Sequence, residues 1–104
     1  GPKKNVNKKV IELIKLIKKD VKNLNFYVAD EKSNKEAKLL KLNCSKIFKY
    51  TKWKPVYNFN ETVRNTSSWY VNYYTRKNNI FKFTINQIQN YIKLAKSKKV
   101  SWIK

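Results

Sequence analysis

The sequence predicts a small α+β domain, mostly helical, with about four helices and a short two-strand element. Two observations point to the helices. Apolar residues recur at helical spacing over residues 5–24, and two later segments open with a cap residue followed three positions on by Glu or Gln. A third observation limits the sheet: the only glycine is Gly1, so the positive-φ turns of tight hairpins have no residue suited to them. Gly1-Pro2 has the form of a protease-cleavage scar. That leaves residues 3–104 as one domain, of a size that buries a single modest core.

Over residues 5–24, Val6, Val10, Leu13, Ile14, Ile17, Val21 and Leu24 share one helical face. Lys8, Lys15, Lys19 and Lys22 share the opposite face, with Glu12 beside them. This pattern describes a core helix with a solvated basic back. It carries no Trp or Phe of the kind that anchors a helix at a membrane surface. Residues 25–30, Asn-Phe-Tyr-Val-Ala-Asp, favour a strand. Residues 31–36 form a charged loop, and residues 37–42, Ala-Lys-Leu-Leu-Lys-Leu, are assigned as the second short strand, though their period alone is ambiguous.

Ser45 is expected to cap a short helix reaching about residue 53, with Ile47, Phe48 and Tyr50 facing inward and Pro55 stopping it. Asn58 and Glu61 then form a capping box. The helix they open has Phe59, Val63, Trp69, Tyr70, Tyr73 and Tyr74 as its apolar arc. Residues 75–82 form a basic connector. Thr84 and Gln87 make a second capping box, Phe83 and Ile88 a hydrophobic staple, and Ile85, Ile88, Tyr91, Ile92 and Ala95 the buried stripe of the last helix. A basic tail runs from about Lys96 to Lys104. Trp102 is the aromatic expected to be exposed there, whereas Trp53, Tyr70 and Tyr73 are expected to be buried.

Lys and Arg number 25 against 6 acids, for a net charge of +19. A field of that sign attracts polyanions. Only Arg64 and Arg76 are arginine. Lysine acts as a point charge where arginine makes bidentate contacts, so backbone contact with weak sequence preference is expected. The chain is also rich in Asn, Ile and Tyr, which share A/T-rich codons with Lys. Coding bias is therefore a second source of the lysine excess, and the sequence leaves both sources open.

Other residue types exclude whole classes of chemistry. Histidine is absent and Cys44 is the single cysteine, which removes internal disulfides, cysteine zinc sites and His-based acid–base catalysis. There is no glycine-rich phosphate loop. No catalytic residue, cofactor or metal site is expected. No apolar run approaches the ~20 residues of a membrane span, so no membrane partner is expected and the compartment reads as cytoplasmic.

One stretch has a familiar form. It reads Asn34-Lys35-Glu36-Ala37-Lys38-Leu39-Leu40-Lys41-Leu42-Asn43-Cys44-Ser45-Lys46, then Trp53-Lys54-Pro55, then a capped helix with Trp69-Tyr70, and later Gln87-Ile88 with Tyr91. This resembles the C-terminal region of the extended short-chain dehydrogenase/reductases, and most of all the CDP-glucose 4,6-dehydratases. In that family a Glu-Ala segment leads into Leu-x-Leu-Asp-x-Ser-Lys, a short helix, Gly-Trp-x-Pro, and a helix ending in Trp-Tyr. The likeness spans nearly the whole chain. It departs at Asn43, where the family has Asp, and at Lys52, where the family has Gly. Nothing here matches the NAD-binding Rossmann half, which holds the family's catalytic residues. The resemblance implies a substrate-side domain with Glu36 near the nucleotide part of a nucleotide sugar. The pairs Tyr50/Lys54 and Tyr73/Lys77 repeat the family's Tyr-x-x-x-Lys in name only, since a chain this rich in both residues produces such pairs by chance.

Together these readings lead to a non-catalytic, dehydratase-derived domain that binds a polyanion, first of all nucleic acid. The residues expected to hold it are Lys8, Lys15, Lys19, Lys22, Lys96, Lys98, Lys99, Lys104 and Trp102, because aromatics among lysines stack on single strands. One alternative is the substrate-side domain of a split or truncated nucleotide-sugar dehydratase, working with a separate Rossmann-domain partner. Another is a protein–protein module for an acidic partner. A domain without its Rossmann half exposes a packing face, so a homodimer is also expected.

Overall fold

The computed structural model describes residues 8–28, 43–76 and 79–103. Four helices occur among them: α1 (Val10–Asp20), α2 (Ser45–Thr51), α3 (Phe59–Thr75) and α4 (Ile80–Ser97). α3 is the hub. α1 and α4 both pack on it, while α2 packs on none of the other three.

No strand occurs among the described residues, so the expected α+β class is corrected to an all-helical one. Residues 25–28 run as irregular chain, with Tyr27 90% and Val28 78% exposed. Phe26 lies beneath the Lys18 ammonium, 5.7 Å from Nζ to ring centroid. β-propensity expresses fit to a pleated, half-buried surface, and among the described residues there is no strand for the segment to join. The loop 31–36 and the second expected strand, 37–42, lie outside the described residues.

Cap chemistry sets the helix starts. Glu12 Oε2 accepts from the Lys9 N–H at 2.9 Å, and α1 begins at Val10 rather than near residue 5. Asn58 Oδ1 accepts from the Glu61 N–H at 2.9 Å, and Glu61 Oε2 accepts from the Asn58 N–H at 2.7 Å, which completes the expected box on α3. Ser45 is the first residue of α2 and not its cap; its N–H donates to Asn43 Oδ1 at 2.8 Å.

The start of α4 corrects another expectation. It opens at Ile80, inside the expected connector, because Asn79 Oδ1 accepts from the Lys82 N–H at 3.1 Å. Thr84 and Gln87 thus sit inside the helix, and Phe83 and Ile88 form no staple at its start. The Thr84 and Gln87 side chains serve the α3–α4 interface instead. Trp69 Nε1 donates to Thr84 Oγ1 at 2.8 Å, and Gln87 Nε2 donates to the Asn65 carbonyl at 2.9 Å and to Ser68 Oγ at 3.2 Å.

Three helix ends turn through left-handed backbone at non-glycine residues. Lys52 has φ 59°, Arg76 φ 51° and Lys99 φ 48°. An L-residue in this region costs about 1–2 kcal/mol, and glycine is the usual occupant. With Gly1 the only glycine, basic residues fill these corners instead.

The core is thin. Among the described residues Val56, Val63 and Ala95 are the buried apolar ones, with Ser67 the buried polar one. The C-terminal segment clasps the α2–α3 linker over this core. Lys98 Nζ donates to the Val56 carbonyl at 2.9 Å, and Trp102 Nε1 donates to the Lys54 carbonyl at 3.1 Å. Tyr91 lies between Tyr57, edge-on at 4.9 Å, and Trp102, stacked at 6.1 Å.

Two expected burials are corrected. Ile47, Phe48 and Tyr50 are exposed, since α2 has no helix to pack against. Most of the α4 stripe is also open, with Ile85, Ile88 and Ile92 exposed, Tyr91 half-buried and Ala95 alone fully buried.

Candidate nucleic-acid interface

α1 presents its lysines to solvent because its apolar arc turns toward α3. Leu13, Ile14 and Ile17 are half-buried, whereas Lys15 and Lys19, and Lys22 in the turn that follows the helix, are exposed. Those three lysines have no carboxylate within ion-pair distance among the described residues. Lys8, the fourth member of the expected stripe, is engaged. Its Nζ lies 2.8 Å from Glu12 Oε1 and 5.7 Å from the Phe59 ring centroid. The Lys8 hydrogen bond, followed by the Lys9 N–H, holds the Glu12 carboxyl below its ordinary value of 4.5.

The tail divides in the same way. Lys96 and Lys99 are exposed. Lys98 is tied to the Val56 carbonyl and lies 3.9 Å from Glu61 Oε2. Trp102 was expected to be exposed; it is half-buried between Tyr91 and the Lys54 carbonyl, a structural wedge. Lys104 and Glu36 lie outside the described residues.

What sequence reasoning missed is an open aromatic surface on the second half of α3. Tyr70 and Tyr73, expected in the core, are 52% and 50% exposed, and Tyr74 is 74% exposed. They form a block of four rings with half-buried Trp69. Trp69 and Tyr73 stack at 5.3 Å and 9°, and Tyr70 and Tyr74 stack at 6.3 Å and 16°. The two pairs meet edge-on, Trp69 to Tyr70 at 5.4 Å and Tyr73 to Tyr74 at 5.2 Å. The i, i+4 spacing of the pairs was visible in the sequence, but periodicity does not say whether a neighbour covers the arc.

A cleft opens on each side of the block. One, of about 430 Å³, is lined by Asn72, Tyr73, Tyr74, Arg76 and Ile80. The other, of about 300 Å³, is lined by Tyr57, Thr62, Asn65, Thr66, Trp69, Tyr70 and Gln87. Burial, with smaller contributions from Glu61 and Tyr91, pushes the Tyr57 phenol above its ordinary 10.0.

Among the described residues no cluster of His, Cys, Asp or Glu could hold a metal ion, and no helix is long and apolar enough to cross a membrane. Comparison with known proteins finds no matching family model, no matching curated protein and no matching solved structure.

Proposed function

We propose that this chain is a non-catalytic domain that binds a polyanion, nucleic acid in the first place, through its exposed lysines. The supporting observation is the run of Lys15, Lys19 and Lys22, exposed and without a carboxylate partner among the described residues, in a chain of net charge +19. Unpaired cations gathered on one helix and the turn after it, Lys15 and Lys19 on α1 and Lys22 just past its end, retain their field for a ligand, because no ion pair among the described residues consumes it. Lys96 and Lys99 extend the set, while Lys8 and Lys98 belong to the fold.

The test is a fluorescence titration with a labelled single-stranded oligonucleotide at two salt concentrations. Five phosphate contacts on a single strand correspond to about a hundredfold loss of affinity between about 50 and 200 mM salt. Lys15→Glu with Lys19→Glu should weaken binding further at low salt. Absence of binding at low salt, or binding indifferent to salt, removes the proposal.

A dehydratase ancestry has one supporting observation, at Lys52. It stands where the resembling family carries glycine, and its φ of 59° is the conformation that glycine adopts without strain. The corresponding role, a substrate-side domain for a nucleotide sugar, predicts a rise in melting temperature with a CDP-sugar. An unchanged melting temperature counts against it.

A further inference from the structure

The aromatic block on α3 has features that core packing does not require. Its rings hold one another in place: each of the four touches two others, in parallel or edge-on contact. One corner is pinned, because Trp69 Nε1 donates to Thr84 Oγ1, and the Thr84 hydroxyl in turn donates to the Ile80 carbonyl at 2.8 Å. The opposite corner, Tyr74, is the most open ring of the four at 74%. A surface of fixed planar rings loses little side-chain freedom when a second planar group lies on it.

The surroundings favour an anionic ligand. The only acid on α3 is Glu61, in its first turn, far along the helix from the block. Arg76 follows the last turn and lines the larger cleft together with Tyr73 and Tyr74. Arg76 is the C-cap residue of α3, and a guanidinium can stack on a base or bind a phosphate bidentately. Both clefts fall within the ~300–1,000 Å³ range of small-ligand sites.

We propose that Tyr73, Tyr74 and Arg76 form a base-stacking site for single-stranded nucleic acid, with Trp69 and Tyr70 fixing the rings. A nucleobase lies on the exposed tyrosine face, and Arg76 takes the adjoining phosphate. The site rests on the polyanion reading above and adds to it a preference for unpaired bases over bare charge.

The experiment compares three ligands at low salt: a short oligothymidylate, the same length of duplex DNA, and polyglutamate as a polyanion without bases. Tyr74→Ala is the informative variant, since its exposed ring leaves the fold intact, with circular dichroism as the check. Losing one stacked base should weaken oligothymidylate binding by about fivefold to a hundredfold. Duplex and polyglutamate affinities should stay unchanged. Arg76→Gln should weaken the single strand more than it weakens polyglutamate. Lys15→Glu should weaken all three ligands, which separates the two proposals. Equal losses for oligothymidylate and polyglutamate on Tyr74→Ala overturn the stacking site in favour of an acidic polypeptide. Unchanged oligothymidylate binding overturns the stacking site while leaving the lysine surface standing. No binding of any ligand by the parent protein overturns both.

Discussion

Ser67 and Asp20 lie 47 positions apart and are joined by a 2.8 Å hydrogen bond, from the hydroxyl to the carboxylate. The bond fastens the C-terminal end of α1 to the middle of α3. Ser67 Oγ also lies 2.6 Å from the Val63 carbonyl, so its single proton has two acceptors available, of which only the carboxylate is charged. No side chain of α1 is fully buried, and this bond adds a polar link to the half-buried packing of Leu13, Ile14 and Ile17. Ser67→Ala and Asp20→Ala should each destabilise the fold by about 1–2 kcal/mol in urea unfolding. In the double mutant the losses should fall short of additive, because both remove the same bond. Strict additivity would show that the two residues do not interact.

The left-handed corners offer a gain. Lys52→Gly and Lys99→Gly should each raise stability by about 1 kcal/mol, less a few tenths for the lost cation near the helix end. For a domain of this size that is about 4–8 °C in melting temperature. Lys49→Gly, inside α2, should do the reverse by a similar amount. Equal effects at all three positions would rule out the backbone argument.

Trp102 is read as part of the fold, and a free arm would behave differently. Trp102→Ala removes its stacking on Tyr91 and its bond to the Lys54 carbonyl. The expected loss is about 2 kcal/mol, below the range for a fully buried tryptophan because the ring is half-exposed. An unchanged urea midpoint would mean that the clasp does not hold in solution.

Glu12 supplies a pH signature. Its folded-state value is lowered, by the Lys8 hydrogen bond first and the Lys9 N–H second. A lowered carboxyl contributes stability above the unfolded value, and that contribution disappears as pH falls through the folded value. Helix content measured by circular dichroism should therefore decline below pH 4.5 more steeply for the parent than for Glu12→Gln. Superimposable profiles would remove the interaction.

The sequence exposed the helices unevenly. The box at Asn58 and Glu61 was readable because both partners are local. The start of α4 was misplaced because Thr84 and Gln87 mimic a box, while their actual partners, Trp69, Asn65 and Ser68, lie on another helix. Lys15 and Lys19 were readable as a solvent face from period alone, whereas Lys22, expected on the same helix, falls in the turn after Asp20. Separating them from Lys8 and Lys98 required knowing where Glu12, Glu61 and the Val56 carbonyl stand. The tyrosine block was misread as core for a related reason. An apolar arc looks the same whether a neighbour covers it or not.

The unpaired lysines have a consequence for the protein before any ligand arrives. Ion pairs engage only Lys8 and Lys98 among the described residues, so most of the +19 charge is left to repel itself across a small surface. Added salt shortens the reach of that repulsion to a Debye length of about 10 Å at 0.1 M. Ionic strength then acts with opposite signs on the two states, firming the free domain while loosening its grip on a polyanion. A bound polyanion takes over the role of the counterions, so the domain should be most robust either in concentrated salt or in a complex, and weakest alone in dilute buffer.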